Sequence, residues 1–168
     1  MTTILTYISL IISLWIPAGL IPDSESATLL FAGDAMCHKA QLDAARKGNT
    51  YCFDGYYSSI KPAVQSADYA VVNLETPVYS GSHYSGYPCF NAPNSFADEL
   101  KECGFDLFLT ANNHTLDRRI SGGKKTISLL DSMNIDHIGT YSDLQSRNRQ
   151  IPFIKNIRGF RIGFLNYT

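Results

Sequence analysis

Three short segments hold the side chains best suited to chemistry. "GDAMCH" supplies Asp34 and His38, "NLETP" supplies Asn73 and Glu75, and "TANNHTLD" supplies Asn112, Asn113, His114 and Asp117. Carboxylate, carboxamide oxygen and imidazole together form the ligand set of a hard or borderline divalent ion such as Mn²⁺, Mg²⁺, Fe²⁺ or Zn²⁺. A histidine with a carboxylate nearby also serves for proton transfer. Taken singly, each segment has a plainer reading. Gly33-Asp34 is an ordinary turn, His38 opens a helix, Asn73 and Glu75 are a cap and a solvated acid, and residues 112–115 cap the next segment.

What separates the two readings is where the segments fall. Each directly follows a short apolar run: "ATLLFAG" (27–33), "DYAVVNLE" (68–75) and "FDLFLTA" (105–111). Amphipathic stretches lie between them: "AQLDAARK" (40–47), "YYSSIKPAVQSA" (56–67, with Pro62 tolerable only near a first turn) and "NSFADELKECG" (94–104). A helix over 122–134, a short strand over 136–140 and a β-hairpin turning at 156–159 follow. Nearly continuous apolar strands alternating with helices predict an α/β fold with a parallel or mixed, helix-covered sheet. Ligands in such sheets sit beyond the carboxyl ends of the strands. That rule selects the same three segments, and their agreement with it carries more weight than any one of them.

Composition narrows the classes further. At 168 residues one domain is expected, and 45% hydrophobic with 17% charged residues can support a core. A net charge of −1 gives no electrostatic footprint for nucleic acid. Neither G-x-G-x-x-G nor a P-loop follows the first strand, which argues against a nucleotide-binding domain. Four cysteines without C-x-x-C spacing argue against a structural zinc site and read as free, partly buried thiols. His83 and His137 have no comparable carboxylate neighbours and read as structural or surface residues.

Residues 4–22, "ILTYISLIISLWIPAGLIP", are almost wholly apolar and precede the polar "DSES". They read as a secretory signal, with Ser24 and Ser26 as small residues before a cut ahead of Ala27, or as an uncleaved anchor, or as a buried core helix. Both export readings place the domain 27–168 in the periplasm or outside the cell. The loop "VYSGSHYSGYPCFNAP" (78–93) is long and rich in tyrosine, which fits either a polymer-contact surface or a plain surface loop.

"LLFAGDAM", "VVNLETP", "GFDLFLTANNHTLD", "IGTYSD" and "FRIGFLNYT", in this order, resemble the bacterial capsule-synthesis family called CapA, the poly-γ-glutamate biosynthesis accessory proteins. The resemblance covers about residues 28–168. It implies kinship with the calcineurin-like metallophosphoesterases and the N-terminal part of their four-layer α/β/β/α sandwich. It further implies one or two divalent metal ions and hydrolysis of a phosphoester or amide in an anionic envelope polymer, with membrane synthase components as partners.

Carried over by position, Asp34 matches the opening metal-ligand aspartate of that family. Met36 stands where its D-x-H motif has histidine, and His38 is the substitute considered. Glu75 stands where a bridging aspartate is found, and Asn113 and His114 match the asparagine and histidine of G-N-H. His114 is then the acid catalyst; Asp117 lies three residues on rather than next to it as in G-N-H-[DE], so its pairing with His114 is inferred, and Asn73 and Asn112 are in support. The related enzymes also need a later G-H-x-H, so the chain reads as a fragment or a truncated product, expected to expose an apolar sheet face. A polymer-binding or scaffold role with a degenerate metal site is the alternative.

Overall fold

The computed structural model describes residues 26–81 and 83–168. The apolar segment 4–22 and Ser24, on which the export reading rests, lie outside the described residues. The element order is β1 (Leu29–Asp34), α1 (Lys39–Ala45), β2 (Arg46–Lys47), β3 (Thr50–Tyr51), α2 (Lys61–Gln65), β4 (Tyr69–Asn73) and α3 (Asn94–Cys103), followed by β5 (Leu107–Leu109), α4 (Arg119–Ser132), β6 (Asp136–Ile138), α5 (Leu144–Gln150), β7 (Phe153–Ile157) and β8 (Phe160–Phe164).

The main sheet has four strands in the order β1-β4-β5-β6, all parallel. Each new strand joins on the same side of the last. With right-handed crossovers, that progression puts every connecting helix on one face of the sheet. The packing shows this directly. Ala70, Val72 and Phe108 share one core with Leu42, Val64, Phe96, Leu100 and Leu130 from the four helices α1 to α4. Alternate residues point the other way, and Tyr69, Val71, Leu107 and Ile138 pack against Ile157 and Phe164 of the β7–β8 hairpin. Helices, parallel sheet and hairpin thus form three layers, an α/β architecture compatible with the first part of a four-layer sandwich. Phe31, on the hairpin side of edge strand β1, remains 64% exposed.

Sequence chemistry explains the strands and their ends. β4 is "YAVVN", a branched apolar run buried on both faces, as a central parallel strand must be. It stops at Asn73, because Pro77 follows closely and Leu74 and Glu75 turn inward as buried residues. α3 buries Phe96, Ala97, Leu100 and Cys103, a helical stripe against the sheet.

Several boundaries differ from expectation. α2 occupies only Lys61–Gln65, with Pro62 in its first turn; residues 54–60 form successive turns instead. A proline at position 62 of a helix begun at 56 would clash with the carbonyl four residues back. α4 begins at Arg119, so Gly122 and Gly123 lie inside it. Arg46 and Lys47 leave α1 and pair with Thr50 and Tyr51. α5 was not anticipated; Asp143 caps it by accepting the Ser146 backbone N–H at 2.7 Å. No helix among the described residues is long and apolar enough to cross a membrane.

Candidate metal and acid–base site at the sheet edge

Asp34 ends β1 and lies in register with Asn73, which ends β4. Their side chains meet: Asn73 Nδ2 donates to Asp34 Oδ1 at 2.8 Å and to Glu75 Oε2 at 2.5 Å. One NH₂ group thus gives one hydrogen to each carboxylate. Its oxygen is also used, since Asn112 Nδ2 donates to Asn73 Oδ1 at 3.1 Å and to the Leu74 carbonyl at 3.0 Å. These contacts tie together residues from the ends of three adjacent strands.

Asn112 also shapes the turn beyond β5. Its Oδ1 accepts the His114 backbone N–H at 3.1 Å. Thr115 Oγ1 donates to the Thr110 carbonyl at 2.6 Å and accepts the Asn112 N–H at 3.0 Å. The turn delivers His114 next to Asp117, with Nδ1 and Oδ2 2.9 Å apart and both side chains largely buried. Asp117 Oδ2 also accepts the Phe90 N–H at 2.7 Å. A carboxylate that already accepts one hydrogen bond there requires Nδ1 to be the donor, which leaves Nε2 for proton exchange. The His114 ring stands edge-on to Phe90 at 4.7 Å, and Tyr87 lies 6.5 Å away.

Other sequence-selected residues are placed differently. His38 precedes α1, is exposed, and packs edge-on against Phe90 at 5.1 Å. It shares a cleft of about 380 Å³ with Asp34 and Met36 but makes no hydrogen bond to Asp34. Asn113 is exposed and lines a separate apolar cleft of about 410 Å³ beside Leu116 and Ile120. His137 is buried on the helix side, with Nε2 3.0 Å from Asp131 Oδ1. The four cysteines are free thiols; Cys37 and Cys103 are buried, and Cys52 and Cys89 half-buried. Burial pushes the Cys37 thiol up to about 12.

Several supports carried no recognisable signal in sequence. Asn166 Oδ1 accepts the Ala111 N–H at 2.8 Å and its Nδ2 donates to the Ala111 carbonyl at 3.3 Å, fastening the hairpin to the end of β5. Gly139, at φ +110°, permits this approach: a Cβ there would lie 2.1 Å from Asn166 Oδ1. Arg118 donates to the carbonyls of Cys89 (2.7 Å) and Phe90 (3.0 Å), holding the tyrosine-rich loop against His114. Buried Thr76 accepts the Cys37 N–H at 2.9 Å.

Glu75 is the clearest test of whether a cation suits this edge. The residue is 6% exposed, and its carboxylate has a single hydrogen-bond donor, Asn73, among the described residues. A carboxylate with one protein donor keeps oxygen lone pairs that a divalent cation or water can use. Asp34, held by the same amide, supplies a second oxygen donor. Among the described residues no cluster of three or more His, Cys, Asp or Glu side chains surrounds one point. The edge thus offers two carboxylates, Asp34 and Glu75, as oxygen donors, while the side-chain oxygens of Asn73 and Asn112 are already used within the hydrogen-bond network.

Residues 28–168 match the family model described as bacterial capsule synthesis protein PGA_cap. The chain belongs to the PGA_cap family. It is similar to the capsule biosynthesis protein CapA of Bacillus anthracis, with 24% identity over 151 residues, covering 87% of this chain and 36% of that one. It is 25% identical over 142 residues to the PGA biosynthesis protein CapA of Bacillus subtilis (strain 168), covering 82% and 36%. It is 26% identical over 122 residues to the uncharacterized protein y4uA of Sinorhizobium fredii, covering 68% and 25%. The chain spans about a third of the length of the two Bacillus relatives. The matched PGA_cap region contains every residue of the strand-end cluster.

Proposed function

We propose that this PGA_cap chain contributes to synthesis of an envelope polymer of the poly-γ-glutamate type through a metal-dependent hydrolytic site at the carboxyl edge of its parallel sheet. The observation that carries this reading is the juxtaposition of two units. Asp34 and Glu75 are bridged by Asn73, and Asn112 links that trio to the turn bearing His114 and Asp117.

In this reading Asp34 and Glu75 would hold one divalent ion; Asn113, the ligand that the family pattern implies, and His38, the substitute considered for the histidine missing at Met36, would have to turn towards it from separate clefts. Such an ion supplies Lewis-acid polarisation and an activated water at a phosphoryl or carbonyl centre. Asn73 fixes the two carboxylates in place. His114 Nε2 protonates the leaving group, and Asp117 keeps Nδ1 protonated and the ring oriented. An exported location, consistent with the apolar segment 4–22, and contact with membrane synthase components belong to the same proposal.

Hydrolysis of a chromogenic phosphodiester and of a γ-glutamyl amide, each with and without Mn²⁺, tests it. Metal-dependent turnover that disappears with Asp34→Ala supports the hydrolase. A second reading, a polymer-binding scaffold with a degenerate metal site, draws on Met36 standing where the family pattern has a ligand histidine. Polymer binding without metal uptake or turnover would favour that reading.

A further inference from the structure

The cleft beside the tyrosine-rich loop lies outside the cluster described above. It has a volume of about 570 Å³ and lies between α1, the β2–β3 hairpin and the loop, with Lys39, Asp43, Arg46, Tyr51, Tyr84 and Tyr87 on its walls. Its size falls in the roughly 300–1,000 Å³ range of ligand clefts.

Its chemistry favours an acidic ligand. Both oxygens of Asp43 are engaged by Lys39 Nζ at 2.8 Å, so the one lining carboxylate is already neutralised. Arg46 uses Nε on the Gly48 carbonyl at 3.1 Å. Among the described residues its terminal nitrogens have no hydrogen-bond partner, leaving that edge of the guanidinium for a carboxylate. The hydroxyls of Tyr51, Tyr84 and Tyr87 likewise have no hydrogen-bond partner among the described residues.

Tyr87, on the wall of this cleft, also stands near the sheet-edge site. Tyr87 is 72% exposed, and its ring lies 6.5 Å from the His114 ring. The backbone carrying it is fixed. Gly86 packs so closely on the start of α1 that a Cβ would lie 2.5 Å from the Lys39 nitrogen. Ser85 and Asn91 exchange backbone hydrogen bonds at 3.0 and 2.9 Å, and Arg118 clamps the carbonyls of Cys89 and Phe90. An exposed aromatic ring on a fixed backbone pays little ordering cost on contact with a ligand.

We propose that this cleft is a subsite for a strand of acidic polymer: Arg46 takes its carboxylates, and Tyr84 and Tyr87 guide the strand towards His114. The assignment rests on the reading of the sheet edge as a site acting on an envelope polymer.

Calorimetric titration of the whole chain with a γ-linked oligoglutamate tests the assignment, with an uncharged oligosaccharide as control. The expected result is saturable oligoglutamate binding that weakens as salt rises and falls about tenfold or more in Arg46→Ala and in Tyr87→Ala. Both side chains are exposed, and unchanged thermal melting will show that the variants fold. Absence of binding, equal binding by the Arg46 and Tyr87 variants, or equally tight oligosaccharide binding would overturn the subsite. The two proposals fail separately. Oligoglutamate binding without metal-dependent turnover would remove the hydrolase and leave the subsite. Turnover with no effect of either variant on binding would remove the subsite alone.

Discussion

Nδ1 of His114 lies 2.9 Å from Oδ2 of Asp117, and that same oxygen accepts the Phe90 backbone N–H at 2.7 Å. The carboxylate is therefore positioned by the loop that carries Phe90 before it positions the histidine. The imidazole is held in one tautomer with Nε2 left over, the arrangement an acid catalyst needs.

His114→Ala is expected to reduce metal-dependent turnover by about 10²–10⁴ while leaving the fold intact. Asp117→Asn should cost roughly 10–100-fold, because it removes orientation and keeps the ring. Steady-state rates beside circular-dichroism melting of both variants check this. Unchanged rates in His114→Ala would remove the histidine from the mechanism.

Asn73 bridges two carboxylates, one of them buried. Asn73→Ala should lower stability by about 1–3 kcal/mol, the cost of leaving a buried acceptor without its donor. Asn73→Asp should be worse, because a third like charge replaces the donating amide. Urea unfolding midpoints measure both. Equal stability of the aspartate variant and the wild type would contradict this account of Asn73.

Gly139 and Asn166 join the hairpin to the end of β5. Gly139→Ala should destabilise by more than about 1 kcal/mol, through its positive φ and its clash with Asn166. Asn166→Ala should cost about 1–3 kcal/mol by orphaning the backbone N–H and carbonyl of buried Ala111. Thermal melts of the single variants and the double variant should show less than additive losses, since the two act at one contact.

Burial raises the Cys37 thiol from 9.0 to about 12, and Tyr57 and Tyr69 are raised in the same direction, chiefly by burial. For a group whose folded pKa exceeds its unfolded value, its contribution is fully present below the unfolded pKa. It is lost as pH rises through the folded one. Stability should therefore fall as pH rises from about 9 towards about 12. Cys37→Ala should remove part of that fall, with the tyrosines keeping the rest. Denaturant midpoints across this range are the check, and a slope unchanged in Cys37→Ala would contradict it.

Much of this architecture was legible because it follows from local rules. The buried run at β4, the stripe of Phe96, Leu100 and Cys103 on α3, and the alternation of strand and helix are read from periodicity alone. The strand-end rule then collected Asp34, Asn73, Glu75 and Asn112 on one edge, and their side chains do meet. Less could be read where long-range packing decides. Nothing in "FLNYT" announces that Asn166 clamps Ala111, and nothing in "LDRR" announces that Arg118 braces residues 85–90. α2 starts only at Lys61 because the proline penalty outweighs the amphipathic pattern of residues 56–60. α5 gives little sequence signal, because that signal is a cap on a polar segment with no buried face.

The most direct measurement is a Mn²⁺ titration of the whole chain by calorimetry, run on the wild type, Asp34→Asn, Glu75→Gln and His114→Ala. The account predicts saturable binding to the wild type and to His114→Ala alike. It predicts affinity lower by about tenfold or more, roughly 1.4 kcal/mol, in each carboxylate variant. Absence of binding, or binding that ignores Asp34 and Glu75, would contradict a metal-dependent site at this sheet edge.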